Sequence, residues 1–283
     1  MISGLFVIPF PAPDPTAFEV GPVTVRWYGL AYMAGLLLGW LYIKRLLANA
    51  ALWQSDRAPL DGDGADSLLL WTTLGVVVGG RLGFVLFYEP GYFLTYPLEV
   101  FAVWHGGMSF HGGLIGTGLA LAVFARLNGA PFWSLSDIAA AAVPIGLFFG
   151  RVANFINGEL FGRPSDVPWA MIFPGGGPDP RHPSQLYEAT LEGLVLFIAI
   201  RFFTHRRRVL RWPGYASGVF LVGYGLARSV AEFFRDPDSS HILTQGTWLT
   251  PGIAYSLPMI AFGIYLLATR RYRAESALLK NEN

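Results

Sequence analysis

Residues 135–162 read LSDIAAAAVPIGLFFGRVANFINGELFG. An apolar stretch long enough to lie within a membrane runs without a break into Arg151, Asn154, Asn157 and Glu159. An unneutralised guanidinium or carboxylate near hydrocarbon costs several kcal/mol, so an ionisable group in a span marks a functional site by default. Arg151 is therefore both the mark of a membrane fold and the first pointer to chemistry.

The rest of the chain agrees. Of its 283 residues 53% are hydrophobic and 14% charged, against about 25% charged in an average soluble chain. The expected fold is an all-α integral membrane protein, one polytopic domain over residues 1–283. A formal net charge of +1 gives no reason to invoke nucleic acid or an acidic macromolecule. The chain has no cysteine, which excludes disulfides, thiolate metal sites and a cysteine nucleophile. Any thiol chemistry must use a thiol brought by a substrate. Residues 1–22 lack a basic leading segment and are broken by Pro9, Pro11, Pro13 and Pro15. They read as an irregular surface arm rather than a cleavable signal peptide.

Seven apolar stretches follow: 23–47, 67–88, 112–127, 135–156, 184–203, 214–234 and 249–269. A helix of about 22 residues is about 33 Å long, enough to cross a hydrocarbon core of about 30 Å. The third stretch is the weakest, being short and opening in a Gly-rich turn. Without it six spans would be left; the charge pattern decides for seven. Thirteen of the 20 lysines and arginines follow odd-numbered stretches: Lys44, Arg45, Arg57, Arg126, Arg201, Arg206, Arg207, Arg208, Arg211, Arg270, Arg271, Arg273 and Lys280. The positive-inside rule then puts the N-terminus outside and the C-terminus in the cytoplasm. Residues 157–183, rich in proline and glycine, become a small extracytoplasmic cap between spans four and five. Trp27, Tyr28, Tyr88, Tyr92, Tyr96, Trp104, Trp169 and Trp248 gather at predicted outer boundaries, as an interfacial belt would. Arg26, Arg81, Arg151, Arg163, Arg181, Arg228 and Arg235 fall within spans or on the outer side, against the rule. Each needs another reason to be there.

On the sixth stretch Tyr224, Arg228, Glu232 and Arg235 share one helical face. They suit either a buried Arg228–Glu232 pair that locks packing, or a Glu232 that orients the Arg228 fork towards phosphate oxygens. On the fourth, Arg151 and Asn154 share a face after Pro144, Gly146 and Gly150. Two arginines from separate spans, both in outer halves, would make an anion site suited to a phosphorylated headgroup, unless each merely caps its own helix. His111, in the turn 108–113, is the best-placed group to take a proton near neutral pH, with His182 a second candidate. Asp137 follows Ser134 and Ser136 and reads as an N-cap of its own span. Glu188 lies near the outer start of span five and is a weak catalytic candidate. No GxSxG, HExxH, P-loop or Cys/His metal pattern is present, and no cofactor is called for.

Taken together, residues 150–162, with Tyr28 in 25–30, 79–81, 106–116, 181–188 and 228–238, closely resemble the signature segments of the prolipoprotein diacylglyceryl transferases. The resemblance implies a multi-pass enzyme of the bacterial inner membrane with its site facing outward. It implies transfer of diacylglycerol from phosphatidylglycerol to the lipobox cysteine of an exported prolipoprotein, with release of glycerol phosphate. By motif position it makes His111, Arg151, Arg228 and Glu232 catalytic. Tyr28, Asn154, Glu159, Gly162 and Arg235 join Arg151 and Arg228 around the phospholipid. The cap is compact beside what the family leads one to expect. A transporter of an anionic lipid or solute is the rival reading, and it predicts polar groups along the full membrane depth rather than in the outer half.

Overall fold

A computed structural model describes residues 8–11, 13–21, 23–236 and 250–281. Trp248 of the expected belt, residue 249 at the start of the seventh stretch, residues 237–238 of the last resembling segment, and 1–7, 12 and 22 of the arm lie outside them. The chain forms two compact units, Lys44–Ser136 and the remainder.

The arm contains strand β1 (Ile8–Pro9), and β2 (Thr16–Val20) pairs antiparallel with β3 (Val23–Arg26). Gly21 makes the turn between them at φ +59°, a conformation glycine adopts without steric cost. The expected irregular arm is therefore partly sheet: among the described residues, two small two-stranded sheets accompany a mostly helical fold. The β-branched run Val23-Thr24-Val25 favours the strand, so the first helix, α1, starts later than the apolar stretch and spans Trp27–Ala48.

In the Lys44–Ser136 unit, α2 (Gly62–Phe87) starts at Asp61, whose side chain accepts from Gly64 N at 2.7 Å. A short α3 (Pro90–Thr95) and 3-10 turns lead to α4 (Phe110–Leu127). Helices α2 and α4 touch backbone to backbone through small residues. A methyl added at Gly79 would sit 2.7 Å from Gly116 Cα, and one at Gly75 2.8 Å from Ala120 Cβ. Lipid tails remove the hydrophobic drive between helices, so such close van der Waals packing is what holds them together. Arg81, one of the rule-breaking arginines, is 5% exposed. Its guanidinium donates to the carbonyls of Glu99 (2.5 Å), Val100 (2.9 Å) and Gly106 (2.6 Å) and lies over the Phe93 ring. It pins the loop before α4.

Helix α5 covers Phe132–Ile156. The cap after it holds β4 (Met171–Ile172), which pairs parallel with β1. The fifth apolar stretch is one helical run in three parts: α6 (Ser184–Glu188), a π-helical turn (Ala189–Val195) and α7 (Leu196–Arg206). Then come α8 (Tyr215–Glu232), α9 (Pro251–Ala268) and α10 (Arg270–Asn281). Gly218 and Gly225 of α8 abut Gly263 and Ile260 of α9, again with no room for a methyl. Among the described residues five helices, α1, α2, α4, α5 and α9, are long and apolar enough to cross a membrane. The α6–α7 run and α8 occupy the fifth and sixth expected spans without meeting that measure, and both carry buried charge. Asp137 does not cap its own helix. Its carboxylate accepts from Gly214 N (2.7 Å), Ser217 N (2.7 Å) and Ser217 Oγ (2.8 Å), so it caps the start of α8. The unpaired N–H groups of a neighbouring helix start offer a carboxylate more than its own mid-helix position does.

Candidate active site

Three helical runs place their charges on one point. Arg151 comes from α5 after the glycines that thin that helix, Glu188 from the end of α6, and Arg228 and Glu232 from one face of α8. Arg151 Nε lies 2.8 Å from Glu188 Oε2. On the other oxygen, Oε1, converge Arg228 Nη1 at 2.9 Å and Arg235 Nη1 at 2.7 Å. Arg228 Nη2 also reaches Glu232 Oε2 at 2.9 Å, the i, i+4 pair expected from the sequence. Glu192 completes the group, 3.4 Å from Arg151 Nη2 and 3.9 Å from Arg228 Nη1. Arg235 lies just beyond the end of α8 rather than on it.

Three guanidiniums and three carboxylates sum to zero charge, which is what lets them lie inside an apolar bundle. Their accessibility differs in a telling way. The Glu188 and Glu192 side chains are 0% exposed, whereas those of Arg151 and Arg228 are 19% and 17% exposed. The two carboxylates form a sealed floor, and the two arginine side chains keep part of their surface accessible. Each guanidinium has five N–H donors, and these contacts occupy at most three on either arginine. Among the described residues Arg151 and Arg228 thus keep donors for a further anion.

The π turn sets the aim of Glu192. An i→i+5 turn shifts the residues after it around the helix axis, and this one seats Gly193 against Phe148 of α5, where a methyl would meet Phe148 Cα at 2.7 Å. The spacing of apolar residues does not announce such a turn. Glu188 and Glu192 themselves are within reach of sequence reasoning, because two carboxylates four apart in an apolar span fall under the same rule that singles out Arg151. The sequence reading names only Glu188, and only as a weak candidate.

Asn154 and Glu159 meet beside the cluster. Asn154 Nδ2 donates to Glu159 Oε1 at 2.7 Å, and Glu159 N donates back to Asn154 O at 3.1 Å. Gln185 of α6, fully buried, donates to the Glu159 carbonyl at 2.6 Å. Leu160 follows with φ +56°, a left-handed backbone that a leucine adopts only when its surroundings hold it there. Gly162 then passes between Phe234 and His182; a methyl would fall 2.8 Å from His182 Cβ. Its N–H donates to His182 O, and Arg163 N donates to Phe234 O. The cap is thereby latched to the end of α8, at Glu232, and to the residues just beyond it that include Arg235. Arg163 and Arg181, two more arginines that break the charge rule, serve this latch: Arg163 Nε donates to Arg235 O at 2.7 Å, and Arg181 donates to Gly176 O and Asp236 Oδ2, each at 2.8 Å.

Tyr28, on the first turn of α1, shares a 3.1 Å hydrogen bond with Tyr32. His182 Nδ1 shares one of 3.1 Å with Tyr187, whose hydroxyl accepts from Trp169 Nε1 at 2.6 Å. Burial lowers the pKa of the His182 imidazole from its usual value, so it is neutral at physiological pH. His111 is exposed on the first turn of α4, which Ser109 caps, and belongs to the other unit.

A family model described as prolipoprotein diacylglyceryl transferase matches residues 15–269. The phosphatidylglycerol–prolipoprotein diacylglyceryl transferase of Rhizobium meliloti (strain 1021) is 54% identical over 273 residues, covering 96% of this chain and 98% of that protein. The protein of the same name from Agrobacterium fabrum (strain C58 / ATCC 33970) is 49% identical over 273 residues, 96% and 98% of the two chains. That from Brucella abortus (strain S19) is 51% identical over 272 residues, 96% and 95% of the two chains.

Proposed function

Since the chain belongs to the prolipoprotein diacylglyceryl transferase family, we propose that Arg151 and Arg228 hold the phosphate of phosphatidylglycerol while its diacylglyceryl group is transferred. The protein is a transferase that moves this group to prolipoproteins. The observation that carries the site assignment is the meeting of Arg151 and Arg228, from different helices, on the two oxygens of the buried Glu188.

In this reading the phospholipid enters sideways from the outer leaflet of the bacterial inner membrane, and seven spans set the site facing outward. Its phosphate rests on the exposed faces of the two forks, where planar guanidiniums suit pairs of phosphate oxygens. The sulfur of the lipobox cysteine attacks the glycerol carbon that carries the phosphate. The new carbon–sulfur bond forms as the carbon–oxygen bond breaks, and the electron pair leaves with glycerol phosphate. Arg151 and Arg228 stabilise the charge that gathers on the departing oxygen. Glu232 and Glu188 hold the forks in place from below, and Arg235 supports them through Glu188. Asn154, Glu159 and Tyr28 orient the headgroup. Gly162 gives the cap the close approach that keeps Glu159 and Asn154 beside the cluster.

A thiol of pKa near 8.5 is only a few per cent ionised at neutral pH, so a base removes its proton. His111 takes that role, with neutral His182 as the second candidate. The transporter reading is not favoured, because the relatives' names describe transfer.

The test is purified protein with phosphatidylglycerol labelled in its acyl chains and a lipobox peptide with or without its cysteine. Label on the cysteine peptide alone is expected. No label on either peptide would overturn the reading, and label on both would remove the thiol from it.

A further inference from the structure

At the other end of α8 from the arginine cluster, a pocket of about 380 Å³ is lined by Phe203, Arg207, Trp212, Tyr215, Arg270 and Arg271. Tyr215 opens α8 and Arg228 lies 13 residues further on, which is about 20 Å along a helix at about 1.5 Å per residue. The two sites are therefore separate. The pocket forms where the end of α7, the start of α8 and the junction of α9 with α10 come together.

Three arginines line it and, among the described residues, no acidic residue does. The arginine cluster is neutralised by Glu188, Glu192 and Glu232; this one has no such floor. Arg270 is held in place, its Nη1 donating to Leu267 O at 2.7 Å and its guanidinium lying 5.6 Å from the Tyr215 ring centre. The positive-inside rule accounts for basic residues in these connections, but not for their convergence on a concave surface walled by Trp212, Tyr215 and Phe203. Tryptophan and tyrosine sit where a bilayer changes from headgroup to acyl chain. Arginine forks match a phosphate, and basic pockets between helix ends on the cytoplasmic side take anionic headgroups.

We propose that this pocket is a second phosphate site, taking the headgroup of an anionic phospholipid from the cytoplasmic leaflet and bracing the ends of α7, α8 and α9. The leaflet, though not the phosphate chemistry, rests on the topology proposed above.

Native mass spectrometry of the full chain tests it, with added phosphatidylglycerol or phosphatidylethanolamine. The variants are Arg207→Lys/Arg270→Lys/Arg271→Lys, which keeps the inside charge, and Arg228→Lys. The wild type is expected to retain one more phosphatidylglycerol than the triple variant, whose affinity at that site falls about tenfold through loss of the paired donors. Arg228→Lys should keep this lipid and weaken a different one, so failure at either site is told apart. Competition by glycerol phosphate as strong as by the lipid would still support the phosphate site while assigning it to free phosphate esters. The same lipid count and affinity in a triple variant that elutes as a single folded species would overturn the proposal, as would equal retention of phosphatidylethanolamine.

Discussion

Replacing the Glu188 carboxylate leaves the guanidiniums of Arg151, Arg228 and Arg235 without their shared acceptor, at 2.8, 2.9 and 2.7 Å respectively. Breaking a buried ion network by removing one partner costs about 3–5 kcal/mol, because the remaining charge is left uncompensated. Glu188→Gln is therefore expected to lower the unfolding midpoint sharply in detergent and to reduce transfer; a melting curve that overlays the wild type would contradict the arrangement. Arg228→Lys asks a different question. Lysine keeps the charge and the reach to Glu188 but not the fork that pairs with Glu188 and Glu232 at once. Transfer should fall by about a hundredfold or more, the scale of losing one donor to a developing oxyanion, while the protein stays folded by circular dichroism. Near-normal turnover would remove the paired-donor part of the proposal.

Among the elements, the α2–α4 contact makes the plainest prediction. Gly79→Val would drive a branched side chain into Gly116 Cα and should cost about 1–3 kcal/mol, as overpacking does. Gly118, on the same helix α4, has open space within 4 Å of where a methyl would sit, so Gly118→Ala should be neutral or stabilising by up to about 1 kcal/mol. Thermal unfolding in one detergent compares the two, and equal midpoints would contradict close packing at Gly79. The element scale also shows where sequence reasoning stops. The helices are legible because apolar runs bounded by charge leave the backbone few other solutions in lipid. The Arg228–Glu232 pair is legible from its spacing. The π turn that aims Glu192 depends on the fit of Gly193 against Phe148, and Asp137 caps α8 from 77 residues away. Both are tertiary facts with no local signature.

Over the whole molecule, the proposed topology rests on the sign pattern of charge, and the cysteine-free chain allows it to be tested directly. Asp166→Cys, in the exposed part of the cap, should react with a membrane-impermeant maleimide in spheroplasts. Asn128→Cys, after α4, should react only after lysis. The reverse pattern would invert the proposed site. Arginine counts alone do not foretell the cluster's balance: the sequence offers Arg151, Arg228, Arg235, Glu232 and, weakly, Glu188 as separate candidates, and the fold adds Glu192 and brings all six together. What holds the account together is phosphate resting on Arg151 and Arg228 above that carboxylate floor. The most direct measurement is solid-state NMR of guanidinium-labelled protein in bilayers of phosphatidylglycerol, observing dephasing of arginine nitrogen by lipid phosphorus. Dephasing that drops in Arg151→Lys and again in Arg228→Lys is predicted. Dephasing left unchanged by both substitutions would place the phosphate elsewhere and contradict the account.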